Sequence, residues 1–118
     1  MTTITDHEML ELAAKAAEIE IDHWRGDNPM VNDSDYDISC YKYWNPLTDD
    51  GNALRLAVKL DIDFYMGADS EGPEAWAGYY LPGKENKKHA CEPCKNDPYA
   101  ATRRASVRAA VEIGRNMK

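Results

Sequence analysis

The sequence predicts an α+β domain, a three-stranded, mainly antiparallel sheet packed with three helices, in the order helix, strand, helix, strand, strand, helix. Three observations predict it. Apolar stripes at helical spacing, each opened by a capping residue, occur at 5–20, 49–60 and 98–116. Short aromatic-rich or alternating runs stand between them at 36–44, 61–66 and 75–81. The 118 residues suffice for one modest core and leave no room for two, so 1–118 reads as a single domain.

The first helix begins at Thr5-Asp6-His7-Glu8, a capping box in which Thr5 caps the helix and Glu8 reaches back. Met9, Leu10, Leu12, Ala13, Ala16, Ala17 and Ile19 form its apolar stripe, and the small alanines permit close approach to a neighbour. Residues 21–35 are polar, with Gly26, Asn28 and Pro29, and read as an exposed loop. Trp24 within it either anchors the loop to the core or sits on a binding surface, and burial is the reading its size favours. The run 36–44 reads as a strand that ends at Asn45-Pro46-Leu47.

Thr48 or Asp49 caps the second helix, and Asp49 and Asp50 suit the positive end of its dipole. Ala53, Leu54, Leu56, Ala57, Val58 and Leu60 cover most of its circumference, which predicts the most buried of the three helices. In 61–66, Ile62, Phe64 and Met66 alternate with Asp61, Asp63 and Tyr65, the pattern of a half-buried strand. The connector 67–74, with Gly72-Pro73, suits a hairpin loop before the aromatic strand 75–81. Residues 82–96, rich in lysine and broken by Pro82, Gly83 and Pro93, read as a second exposed loop. Asp97 and Pro98 then start the last helix, with Ala100, Val107, Ala110, Val111 and Gly114 on its inner side.

The net charge of −7 is unevenly spread. Residues 1–82 carry 17 acidic against 5 basic side chains, a net of −12, and 83–118 carry 4 against 9, a net of +5. Such polarity predicts an acidic face and a basic face, or acidic loops and a basic helix that pair with each other. No apolar run approaches the roughly 20 residues that span a membrane, and the N-terminal residues lack the basic and apolar stretches of a secretory signal. The expected location is the cytoplasm, with no membrane partner. Three cysteines, an odd number, fit reduced thiols there: Cys40, Cys91 and Cys94 are free thiols, core fillers or metal ligands.

No nucleophile elbow, phosphate loop or dinucleotide fingerprint is present, and the expectation is a protein that is not an enzyme, with no cofactor. Three constellations remain. Cys91 and Cys94, two residues apart, form half of a zinc motif that His89 or Cys40 would extend, so zinc is an alternative expectation. Arg103, Arg104, Arg108 and Arg115 on the last helix offer a nucleic-acid-binding stripe, though the chain is acidic overall. Clustered carboxylates together with abundant Tyr and Trp suit a protein interface, where acids meet a basic channel and aromatics supply contact area. The candidate partner-binding residues are Asp33, Asp35, Asp37, Tyr41, Asp61 and Asp63.

The stretches Trp44-Asn-Pro-Leu-Thr-Asp-Asp-Gly-Asn-Ala-Leu-Arg-Leu-Ala-Val-Lys-Leu60 and Asp97-Pro-Tyr-Ala-Ala-Thr-Arg-Arg-Ala-Ser-Val-Arg-Ala-Ala-Val-Glu-Ile-Gly-Arg115, with the opening Glu8-Met-Leu-Glu-Leu-Ala-Ala-Lys-Ala-Ala17, resemble small uncharacterised accessory proteins of phages and prophages of Gram-negative bacteria. The resemblance covers the three helices and none of 62–96. It implies a protein that binds host machinery and inhibits or redirects it, by analogy with inhibitors of defence complexes such as anti-CRISPR proteins.

Overall fold

The computed structural model describes residues 4–32 and 40–117. In chain order the elements are α1 (Asp6–Ala17), β1 (His23–Arg25), β2 (Asn28–Asn32), β3 (Tyr41–Tyr43), α2 (Asp50–Leu60), β4 (Asp63–Asp69), β5 (Gly72–Tyr80), β6 (Lys87–Pro93) and α3 (Pro98–Arg115). The α+β class holds, but the strands form two antiparallel three-stranded sheets, β1-β2-β3 and β4-β5-β6, instead of one. The order accordingly gains three strands.

The helix ends follow from local chemistry. Thr5 Oγ1 accepts the Glu8 N–H at 3.1 Å while the Glu8 carboxylate faces the Thr5 N–H, completing the capping box. Asp49 and Asp97 accept the N–H groups of Asn52 and Ala100, and Pro98 takes the first turn of α3. Glu18 and Asp61 close α1 and α2 in the left-handed conformation, with φ of 58° and 56°.

Both stretches expected as loops contain strands. Within 21–35, β1 and β2 form a hairpin over the two-residue turn Gly26-Asp27, Gly26 taking φ of +63°. Within 82–96, β6 pairs along the full inner length of β5. The connector 67–74 is strand up to a two-residue turn at Ser70-Glu71, where Asp69 Oδ1 accepts the Glu71 N–H. Of the expected strand 36–44, residues 41–43 are β3 and 36–39 lie outside the described residues.

Helix α3 organises the core. It packs on α1, across β5 and β6, and against α2. Its buried side is mostly small: Ala101, Ala105, Ser106, Val107, Ala109, Ala110, Val111, Ile113 and Gly114. Helix α1 answers with Ala13, Ala14, Ala16 and Ala17. A Cβ on Gly114 would run into the Leu12 carbonyl oxygen, so glycine lets the two helix backbones approach. Ala75, Ala77 and Tyr79 of β5 face the helix from below. The most buried helix is therefore α3, not α2: only Asn52, Ala53, Leu56 and Ala57 of α2 are buried, because α2 leans on one flank of α3 and has little sheet beneath it.

The first sheet attaches through Met30, Val31 and Trp44, all buried. Asn45 is also buried, where its amide donates to Asn28 Oδ1 and its Oδ1 accepts the Leu47 N–H. Trp24 is half-buried and stacks on His7 at 4.1 Å between ring centroids.

Candidate functional site

Pairing in the second sheet decides which side chains share a face. Phe64 and Met66 stand opposite Ala77 and Ala75, on the side that α3 covers. Asp63, Tyr65 and Asp69 stand with Gly78, Trp76 and Gly72 on the other side. Alternation along 61–66 is thus present, but Phe64 and Met66 are not buried as expected. They are 43% and 53% exposed, because α3 lies over β5 and β6 and stops short of β4. Only Ile62, ahead of the strand, is in the core.

The uncovered strip is a groove of about 420 Å³ between α2, α3 and β4. Ala53 and Leu54 of α2, Phe64 and Met66 of β4, and Tyr99 and Thr102 of α3 line it. Val58, one turn along α2 from Leu54, continues its apolar wall and is 74% exposed. Of the nine large apolar side chains left exposed among the described residues, Leu54, Val58, Phe64, Met66 and Tyr99 belong to α2, the inner face of β4 and the start of α3, which makes this the main apolar surface. Its polar members are already satisfied. Arg103 donates to Asp50 at 2.6 Å and to the Leu47 carbonyl at 2.9 Å, which ties α3 to the start of α2 and leaves the floor apolar.

The larger cleft, about 660 Å³, lies between the end of α1, β2, β3 and α2. Glu20 and Asp49 line it beside Lys42, Arg55 and Lys59, so its walls mix both signs of charge and select no ligand type.

The residues singled out from sequence fall in different places. Asp63 carries a structural ion pair with Lys87 of β6, reaching across β5 over Gly78, where any Cβ would collide with both side chains. That hydrogen bond with Lys87 holds the Asp63 carboxyl below the usual carboxylate range and raises Lys87 in turn. Asp61 ends α2, its N–H donating to the Ala57 carbonyl, and the residue is exposed and does not line the groove. Tyr41 belongs to the other sheet, edge-on to His23. Asp33, Asp35 and Asp37 lie outside the described residues. The apolar members Leu54, Val58, Phe64, Met66 and Tyr99 were not among the expected site residues.

The arginine stripe is committed to intramolecular partners. Arg104 and Arg108 grip the two carboxylate oxygens of Glu92 at 3.1 and 2.9 Å, Arg104 also reaches Asp6, and Arg115 pairs with Glu112. The zinc candidates are divided by the fold. His89 and Cys91 project from the outer face of β6, where His89 packs edge-on to Trp76 and Tyr65. Cys94 is buried and Cys40 belongs to the first sheet's approach to β3. Desolvation and the nearby Glu74 raise the Cys91 thiol, which disfavours the thiolate that both a nucleophile and a metal ligand require. Among the described residues no three His, Cys, Asp or Glu side chains gather closely enough to hold a metal ion, and no helix is long and apolar enough to cross a membrane.

Compared with protein-family models, with curated proteins and with solved structures, the chain matches none.

Proposed function

We propose that this chain works by docking on another protein through the groove between α2, α3 and β4, as a phage- or prophage-type accessory protein that inhibits or redirects a host complex. One observation carries the docking reading. Large apolar side chains left in water, with Tyr99, Leu54, Met66 and Phe64 at 71%, 54%, 53% and 43% exposure, line one concave surface. Exposed apolar area of this kind costs solubility and is relieved when a partner covers it. Tyr and aliphatic anchors in a water-excluding groove are what a protein interface uses for affinity. The host-complex half of the reading rests on the resemblance of the three helices to phage accessory proteins. The nucleic-acid alternative is weakened by the internal pairing of Arg103, Arg104, Arg108 and Arg115.

The test is affinity capture from host lysate with the wild-type chain, the double variant Leu54→Glu/Phe64→Ser, and Arg25→Ala as a control distant in the fold. A stoichiometric host protein is expected with wild type and control and lost with the double variant. Thermal unfolding of the double variant should be lowered only modestly and stay cooperative, since about half of each side chain is already in water. Retention of the same partner by the double variant would remove the groove from the interface, and absence of any stoichiometric partner would remove the docking reading.

A further inference from the structure

We infer that the partner enters this groove as an extended, cation-flanked strand that hydrogen-bonds to the free edge of β4; the inference rests on the docking reading above. Four observations converge on it.

First, the sheet is one strand narrower than the helical layer above it. Helix α3 has β5 and β6 beneath it, whereas α2 projects Leu54 and Val58 over a space that begins where β4 ends. Second, β4 pairs with β5 alone, and among the described residues no other main-chain hydrogen bond reaches 63–69. Seven consecutive residues of open edge are a template for another strand. Third, the alternation is in phase with the groove. A strand added beside β4 sends every second side chain into the space between Phe64 and Met66 on one side and Leu54 of α2 on the other. The remaining side chains lie beside Asp63, Tyr65 and Asp69 on the opposite face.

Fourth, charge separates a foreign strand from a second copy of this chain. Antiparallel self-pairing centred on Met66 sets Asp63 opposite Asp69 of the second copy at both ends. That register opposes carboxylates directly, which destabilises a strand pair. Among the described residues Asp61, Asp69 and Glu71 have no Lys or Arg partner. A strand with Lys or Arg at both ends of its solvent-side face and β-branched apolar residues on the other meets Asp69 at one end, shares Asp63 with Lys87 at the other, and fills the groove.

The probe is the peptide acetyl-Lys-Val-Thr-Val-Thr-Val-Lys-amide, titrated against the intact chain by NMR with amide exchange as readout. Three companions are its Glu-for-Lys counterpart and the two peptides N-methylated at alternate residues. Expected results are protection of the amides of 63–69, binding about tenfold weaker for the Glu peptide, equivalent to about 1.4 kcal/mol, and loss of binding for one N-methylated peptide. Leu54→Glu should abolish binding of the Lys peptide. No binding of the Lys peptide, equal binding of the Glu peptide, or equal binding of both N-methylated peptides overturns the strand-addition mode. If the double variant still loses its captured partner in those cases, docking at the groove stands without strand addition. A concentration-dependent dimer in sedimentation, with 63–69 protected in the absence of peptide, overturns the inference in favour of a second copy.

Discussion

The two flanks of α3 are built to opposite specifications. On one flank, toward α1, β5 and β6, side chains are small and backbones close: Gly114 against the Leu12 carbonyl, alanines on α1 and α3, and Ala75 and Ala77 below. Its charges are clamped, with Glu92 held by both Arg104 and Arg108. On the other flank, toward α2 and β4, side chains are large and their surfaces are in water. Dispersion and desolvation favour burying large apolar side chains, and this chain buries Met9, Leu10 and Trp44 yet leaves Leu54, Val58, Phe64 and Met66 exposed to water. The closed flank therefore supplies the fold, and the open flank holds contact area that folding leaves unused. If so, substitutions on the closed flank should cost mainly stability, and those on the open flank mainly binding.

The largest stability effect is expected from Gly114→Ala. The added methyl meets a backbone carbonyl, which cannot rotate away as a side-chain tip would, so α1 and α3 must separate. Overpacking of this kind costs about 1–3 kcal/mol, read as a lowered midpoint in urea at unchanged slope. A neutral result would show that the helices slide freely and that the closed flank is less tightly determined than its packing implies.

Next is Glu92→Gln. Its carboxylate is 18% exposed and accepts from two guanidinium groups, so the neutral amide weakens both bonds and leaves Arg104 and Arg108 with reduced compensation. A loss of about 1–2 kcal/mol is expected, in the range of hydrogen bonds to charged groups. Double-mutant cycles with Arg104→Gln and Arg108→Gln would apportion it. If the cost is instead as small as for an ordinary surface ion pair, the clamp is ornamental and α3 is held to β6 by its alanines and by the Arg108 hydrogen bond to the Cys91 carbonyl.

The same contrast sets what was legible in the sequence. Helix boundaries could be read because capping is local: Thr5 with Glu8, Asp49, and Asp97 with Pro98 each act within one turn. The hairpin signal at Gly26-Asp27 was also present, but Asn28 and Pro29 beside it outweighed it in a reading by composition. The strand β6 had no such signal. Lys-Lys-His-Ala-Cys-Glu-Pro lacks β-branched residues, and it is a strand because β5 offers an edge and α3 offers arginines to Glu92. Periodicity placed Phe64 with Met66, and Leu54 with Val58, on shared faces, yet it says nothing about whether another element covers a face. The groove was illegible for that reason. Asp61 and Asp63 drew attention as acids, although one ends a helix and the other bridges to Lys87.

The smallest expected effect lies on the open flank, at Asp63. Its folded-state carboxyl titrates below the unfolded value of about 3.9 because Lys87 hydrogen-bonds its charged form. A carboxyl depressed in the folded state contributes stability above its unfolded value and loses it as pH falls through the folded one. Wild type should thus be slightly more stable than Asp63→Asn near neutral pH, and the two should converge as the pH falls through the lowered folded-state value. Both partners are largely in solvent, so the difference should shrink in high salt as well. A difference that persisted at low pH and high salt would mean that Asp63 acts through something other than its charge. A large loss at neutral pH would mean that the edge strand depends on this bridge for its place. In that event β4 would belong with the fold, and the division between a closed flank that folds and an open flank that binds would fail at the strand where the partner is expected to add.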